Sequence, residues 1–146
     1  MGNKKFNFHM LLTALGTVLV SVKDKEADER SRIMLNSTPF SCILIDKAYN
    51  CIDCNKEAEK LFGVSNKQEV TDKFFEFSPE YQPDGRKSKN KVYEFFKKAF
   101  EEGSSRFAWV HMIGNEQVPC DIRLVRVKYK GEYLIAAYTN DLRDIK

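Results

Sequence analysis

The chain is poor in the residues and motifs that most enzymes need. It has two histidines, His9 and His111, among its 146 residues. It carries no HExxH zinc motif, no phosphate-binding loop, no glycine-rich dinucleotide loop and no Ser/His/Asp order typical of a triad. The acidic residues Asp53, Asp121 and Asp141 are dispersed, and each suits a turn or a surface position. We therefore expect no enzymatic activity in this chain.

The charge pattern lacks a feature of nucleic-acid-binding proteins. The 24 Lys and Arg residues are spread among 21 Asp and Glu residues, which leaves a net charge of +3. No block of Lys and Arg is flanked by aromatic residues, so we do not expect binding to nucleic acid. With 42% apolar and 31% charged residues, the composition is that of one soluble globular domain with a modest extension.

Cysteine is scarce, and its spacing leaves two interpretations open. The four cysteines are Cys42, Cys51, Cys54 and Cys120. A zinc site on the Cys51/Cys54 pair would need two more ligands at suitable spacing. Residues three apart in a strand point to opposite faces, which disfavours joint ligation. We predict buried thiols in a reducing, cytoplasmic compartment, with a redox pair as the alternative.

No apolar run reaches the roughly 20 residues that a membrane-spanning helix needs. The longest candidate, Phe8–Val22, is interrupted by Thr13 and Gly16. A helix here would carry a continuous apolar stripe, formed by Phe8, Leu11, Leu12, Leu15, Val18, Leu19 and Val22. We predict a helix that packs on the domain or on a second copy, and the alternative is the tail of a membrane anchor. Residues 1–32 are thus an N-terminal helical extension, and residues 33–146 form the globular domain.

The block 41–63 predicts a hairpin that runs into a short helix. Ser41–Asp46 and Cys51–Cys54 are β-prone and flank a stretch of turn composition. Asn55 opens a helix, and Gly63 supplies a residue that tolerates the left-handed stop.

A loop and a longer helix occupy the middle of the chain. Ser78–Lys89 contains two prolines and an Asp-Gly pair, which indicate an exposed loop. The spacing of the apolar residues that follow predicts a helix over Lys89–Glu102, with Ser88 as its N-cap. Gly103 ends this helix.

Three strands complete the domain. Arg106–Ile113 alternates cleanly, and Cys120–Tyr129 alternates with a one-residue slip after Leu124, which predicts a β-bulge or a sharp bend. Tyr133–Thr139 is nearly continuous in apolar residues, so we predict that it lies at the centre of the sheet. The order of elements gives an α+β fold with a five-stranded antiparallel sheet and helices on one face.

This arrangement resembles a PAS domain over roughly residues 33–146. The segment Asn55–Gly63 is similar to the family's Asn-x-x-x-x-x-x-Phe-Gly pattern after the second strand. The end of the chain resembles the family's Asp-Ile-Thr exit motif, with Asp141 at the Asp position and Arg143 in place of Thr. The loop Ser78–Gly85 is similar to one in chemoreceptor and sensor-kinase members.

The resemblance implies sensing, dimerisation and signal relay in a bacterial signalling protein such as a sensor histidine kinase. It predicts a cup between the longer helix and the sheet, with five candidate ligand-binding residues: Tyr93, Phe96, Trp109, His111 and Tyr138. It also implies that Asp141 and Arg143 form the signal exit, and that an output domain lies elsewhere in the full-length protein.

The occupant of the cup stays open. Residues 72–77 lack the cysteine-containing segment of flavin-binding LOV members, so we do not expect flavin photochemistry. The central helices contain no histidine, so we do not expect haem either. We expect a cytoplasmic homodimer with a small-molecule ligand, tethered to a membrane only if the N-terminal run is an anchor. The alternative is a ligand-free scaffold that dimerises through the N-terminal helix.

Overall fold

The computed structural model describes residues 36–129 and 131–144. Its centre is one five-stranded antiparallel sheet with the strand order β2-β1-β5-β4-β3. The strands are β1 (Ser41–Ile45), β2 (Cys51–Cys54), β3 (Ser104–Ile113), β4 (Glu116–Tyr129) and β5 (Glu132–Asp141). This confirms both the predicted sheet and the central position of its last strand.

Three α-helices connect the two halves of the sheet. They are α1 (Lys56–Phe62), α2 (Lys67–Lys73) and α3 (Ser88–Glu102), and a 3-10 turn, Phe74–Phe77, follows α2. Their buried side chains, among them Phe62, Val70 and Phe96, join one core cluster with residues of the sheet. The predicted α+β fold with helices on one face of the sheet is therefore confirmed.

Asn55 joins the first helix to the sheet. Its side-chain oxygen accepts hydrogen bonds from the backbone N–H of Ala58, at the start of α1, and of Cys42, in β1, both at 3.0 Å. Its side-chain nitrogen donates to the carbonyl oxygen of Phe40 at 2.8 Å. Gly63 ends α1 in the left-handed region, with φ at 68°. Both predicted helix boundaries are confirmed.

The start of α3 differs from the prediction. The helix begins at Ser88, the preceding Lys87 occupies the N-cap position, and no side chain caps it. The Ser88 hydroxyl oxygen instead accepts a hydrogen bond from the Gln82 side-chain nitrogen at 2.9 Å. The loop thus uses the hydroxyl that we predicted for the cap.

The one-residue slip in β4 is not a bulge. The pairing of β4 with both of its neighbours runs without interruption. Leu124 faces the helix-side cluster, whereas Val127 belongs to a second cluster. Among the described residues, this second cluster draws only on strands and on the segment that leads into β1: Phe40, Cys42, Leu44, Val127, Leu134, Ala136 and Tyr138. The apolar phase changes because β4 contributes to both faces of the sheet.

The irregular pairing lies in β2 instead. Leu44 pairs with Asp53 and Ile45 with Cys51, so Ile52 has no partner in β1. Because of this extra residue, Cys51 and Cys54 both pack against the helix-side core. The prediction that they point to opposite faces is therefore wrong.

Two predictions concern the N-terminal extension. The helix over 8–22 and the domain boundary at residue 32 lie outside the described residues. Within the part of the chain that the structure describes, no helix is both long and apolar enough to cross a membrane.

Candidate functional site

A cavity of about 330 Å³ lies between α3, the turn after α2 and the helix-side face of the sheet. This volume is at the lower end of the range for small-molecule pockets, roughly 300–1,000 Å³. The strands contribute Ile43, Ile45, Phe107, Trp109, His111, Ile122, Leu124, Ala137 and Thr139 to the wall. The helix α3 contributes Ser88, Lys89, Val92 and Phe96, and the turn and loop contribute Phe74, Phe75, Ser78, Pro79, Glu80 and Lys87.

Three of the five predicted cup residues line this cavity: Phe96, Trp109 and His111. Alternation along β3 turns Trp109 and His111 to the same face, where both are buried. The Trp109 ring nitrogen donates to the Ser78 hydroxyl oxygen at 3.0 Å. This bond joins the indole ring to the start of the loop at the cavity wall.

The His111 ring is held in one tautomer. Its Nδ1 lies 2.9 Å from the carbonyl oxygen of Phe77. Because a carbonyl oxygen only accepts, Nδ1 carries the hydrogen and Nε2 carries the lone pair. Burial lowers the pKa of His111 to about 4, although the bond to Phe77 acts in the opposite direction. The ring is therefore neutral at pH 7.

The other two predicted cup residues do not line the cavity. Tyr138 lies in the second cluster, on the opposite face of the sheet. Alternation along β5 turns its neighbours Ala137 and Thr139 to the cavity instead. Tyr93 packs beside the cavity against Tyr49, with ring centroids 5.2 Å apart, because Val92 and Phe96 take the cavity-facing positions of α3.

Sequence reasoning missed Gln82, which closes the edge of the sheet. Its side-chain amide donates to the Val110 carbonyl at 3.0 Å and accepts from the Val110 N–H at 2.9 Å. The amide thus pairs the exposed edge of β3 as a neighbouring strand would, and it fixes the loop at the mouth of the cavity. A single glutamine in a polar loop offers no signal of this role in the sequence.

Tyr49 was also missed, because it sits in a predicted turn. It is the non-glycine residue with a positive φ, 67°, in the described chain. Such a conformation costs roughly 1 kcal/mol for an L-residue. The Asp46 carboxylate holds the turn by accepting from the N–H groups of Ala48 and Asn50, both at 2.9 Å. The ring packs on Phe96, with centroids 5.4 Å apart, and so supports the helix behind the cavity.

The predicted exit residues form an ion-pair cluster at the end of β5. Arg143 donates to the Asp141 carboxylate at 2.7 Å and to the Glu116 carboxylate at 2.8 Å. Its backbone N–H also donates to Asp141 at 2.9 Å. These two acids raise the pKa of Arg143 above its ordinary value, chiefly through the bond to Asp141. The cluster ties the exit segment to the start of β4.

The cysteines have the chemistry of packed side chains. All four are free. Burial raises the pKa of Cys51, Cys54 and Cys120 to about 12, so these thiols are protonated at neutral pH. Within residues 36–129 and 131–144, no three His, Cys, Asp or Glu side chains are grouped to hold a metal ion.

A comparison of the sequence with known family models agrees with the fold described above. The family model described as the PAS fold matches residues 29–131, which is more than half of the chain. The chain belongs to the PAS family. No curated protein sequence matches this chain.

Solved PAS domains share the fold at low sequence identity. The PAS domain of nitrogen regulation protein NR(II) from Vibrio parahaemolyticus has a TM-score of 0.60 at 12% identity, over 75% of this chain and 95% of that chain. A PAS domain from a two-component sensor histidine kinase has a TM-score of 0.59 at 5% identity, over 78% and 95%. The PAS domain of the fruit-fly ELK potassium channel has a TM-score of 0.58 at 13% identity, over 82% and 98%.

Proposed function

We propose that this PAS domain is the sensory and signal-relay module of a bacterial signalling protein, such as a sensor histidine kinase, and that it binds a small ligand in its cavity. The observation that carries the proposal is the cavity of about 330 Å³ among Phe96, Trp109 and His111. A filled aromatic core would leave no such space, because protein interiors are close-packed. We assign no catalytic step to this chain, and kinase activity would belong to another region of the protein.

The central strand offers a route from the cavity to the exit. Ala137 and Thr139 line the cavity, and Asp141 follows on the same strand. Arg143 joins Asp141 to Glu116, so a shift of β5 would act on this ion-pair cluster. We propose that ligand binding changes the position of the exit segment through β5. The free cysteines support a cytoplasmic location, because such thiols persist in reducing compartments.

The test of ligand binding is to identify what purifies with the protein. We would extract gently purified protein with denaturant and analyse the extract by mass spectrometry. A second preparation would carry Ala137→Leu, which adds bulk to the cavity wall, and a third Ala137→Ser as the matched control. We expect a small molecule in the wild type and in Ala137→Ser, and its loss in Ala137→Leu. Absence of any bound molecule, with no thermal shift from small apolar compounds, would contradict ligand sensing.

A second candidate is a scaffold that dimerises through the N-terminal stripe. The second apolar cluster, which includes Leu134, Ala136 and Tyr138, favours this candidate. These side chains are buried, yet among the described residues no helix contributes to their cluster. Burying an apolar side chain of the stripe there would contribute about 1.5–3 kcal/mol. We propose a homodimer in which residues 8–22 pack on this face of the sheet.

Light scattering of the full chain tests the dimer. Leu15→Asp and Leu19→Asp place charge on the stripe, whereas Thr13→Asp and Thr17→Asp place it off the stripe. We expect a dimer in the wild type and in the Thr variants, and monomers in the Leu variants. A dimer that persists in both Leu variants would remove this role from the segment.

A further inference from the structure

The polar atom that sets the chemistry of the cavity is Nε2 of His111. The side chain lines the cavity and is 6% exposed. Its Nδ1 hydrogen is committed to the Phe77 carbonyl at 2.9 Å, which leaves the lone pair on Nε2. No described residue donates a hydrogen bond to Nε2. His111, a residue of the cavity wall, therefore carries an acceptor nitrogen that no described residue pairs.

Two other polar groups of the wall have protein partners. The Trp109 N–H donates to the Ser78 hydroxyl at 3.0 Å, and the Ser88 hydroxyl accepts from Gln82 at 2.9 Å. The Ser78 oxygen accepts this bond, so its own hydrogen remains available to donate. Since Ser78 follows Phe77 directly, this hydroxyl lies on the same side of the cavity as His111. A ligand hydroxyl suits both groups, because it donates and accepts.

The charge of the cavity argues against an ionised ligand. Its charged lining residues are Glu80, Lys87 and Lys89, which are exposed and have opposite signs. The inner wall is apolar and aromatic, with Phe96, Phe107 and Trp109. A carboxylate placed against Nε2 would set one lone pair against another and would lose its hydration without a buried cation.

We propose that the cavity binds a small, uncharged aromatic molecule whose hydroxyl group donates a hydrogen bond to Nε2 of His111. This inference rests on the proposed ligand-sensing function and names the class of its ligand. The aromatic ring contacts the ring-lined wall, and the hydroxyl pairs with Nε2. A ligand of the same shape without a donor would leave Nε2 unpaired.

Two probes differ only in the donor. p-Cresol carries a phenolic hydroxyl, and 4-methylanisole replaces its hydrogen by a methyl group. Titration calorimetry with the full chain should give p-cresol an affinity about tenfold higher than that of 4-methylanisole. His111→Leu should abolish this preference by weakening p-cresol alone. Tyr138→Phe, on the opposite face of the sheet, should keep the preference.

Binding of 4-methylanisole to His111→Leu shows that the variant retains its cavity. If the variant does not fold, the wild type still tests the proposal by NMR. The ¹⁵N resonance of His111 Nε2 should move when p-cresol is added and stay in place when 4-methylanisole is added. A resonance that does not move when p-cresol is added would overturn the proposal.

Three results would contradict the ligand class while the proposed sensing function stands. They are equal affinity for the two probes, tighter binding of p-toluate than of p-cresol, and a haemin absorption spectrum that changes in wild type but not in His111→Leu. The last result would assign Nε2 to iron. Failure of every probe, together with a preparation that carries no molecule, would count against the sensing function itself.

Discussion

The two faces of the sheet use the same strands for different purposes. On the helix side, Ile43, Leu124 and Ala137 lie at the floor of a cavity. On the other side, their strand neighbours Leu44 and Ala136 pack into a cluster without any helix residue, among the residues that the structure describes. Ala136 and Ala137 are adjacent and both buried, yet one supports close packing and the other leaves space.

The difference lies in the space that the side chains of the helix-side face leave unfilled. Phe96, Trp109 and His111 surround a volume that their side chains do not fill. The helix-side cavity includes the polar side chains of His111, Ser78 and Thr139 in its wall. On the opposite face, burial raises the pKa of Tyr138 well above its ordinary value. Three predictions test this division, in order of decreasing effect.

The largest effect should come from Asn55, which ties the helix layer to the sheet. Asn55→Ala removes partners from the N–H groups of Cys42 and Ala58 and from the Phe40 carbonyl. We expect the free energy of unfolding to fall by roughly 4 kcal/mol, because the Cys42 N–H and the Phe40 carbonyl lose these bonds and the Ala58 N–H keeps only its bond to the Asn55 carbonyl, at 3.2 Å. Urea denaturation measures this loss.

Asn66→Ala is the matched control for Asn55→Ala. Asn66 caps α2 by accepting from the Glu69 N–H at 3.0 Å, but this bond is exposed. Loss of an exposed cap costs about 1 kcal/mol. Equal losses for the two variants would mean that Asn55 acts only as a helix cap. Amide exchange should show early loss of protection in α1 and later loss at Leu134, in the second cluster.

Much of this fold could be predicted from the sequence, because its signals are local. The Asn55 cap, the Gly63 stop and the alternation of β3 each depend on a few neighbouring residues. The face of the sheet on which Tyr138 lies does not depend on neighbouring residues alone. It depends on register with distant strands, since Tyr138 pairs with Cys42 and Arg123. In a strand that is apolar on both faces, alternation does not indicate which face carries the cavity.

The candidate site was predicted in part for the same reason. Trp109 and His111 follow from alternation along one strand, and Phe96 follows from helical spacing. The role of Gln82 depends on the conformation of a loop, and that of Tyr49 on the conformation of a turn. The alternation and spacing of apolar residues do not encode either conformation. The apolar slip in β4 predicts a bulge, but a strand whose apolar side chains change from one face of the sheet to the other gives the same pattern.

The second prediction uses pH to separate the two faces. His111 is neutral in the folded protein, where burial lowers its pKa to about 4, and it would titrate near 6.5 when unfolded. Between these values the unfolded state binds the proton and the folded state does not, so stability falls as pH falls. We expect a loss on the order of 3 kcal/mol between pH 7 and pH 4.

The variant His111→Leu should flatten this pH dependence, and urea denaturation at several pH values measures it. Two other titratable groups act near this ring. Asp141 favours the charged imidazole, whereas Cys120, whose pKa burial raises to about 12, stays neutral over this range. Tyr138→Phe is the control on the opposite face and should keep the wild-type profile. An identical slope in His111→Leu would place the pH sensitivity elsewhere.

The third prediction enlarges the two adjacent alanines of β5. Ala136→Leu adds bulk to the close-packed second cluster and should lower the free energy of unfolding by about 2 kcal/mol, the usual cost of overpacking. Ala137→Leu adds the same atoms beside the cavity of about 330 Å³ and should cost much less, because the space exists. The two variants differ only in the face of the sheet that receives the added side-chain atoms. Urea denaturation of the pair therefore compares the two faces directly. If Ala137→Leu destabilised the protein as much as Ala136→Leu does, the cavity would not be available space, and the helix-side face would be as closely packed as the other.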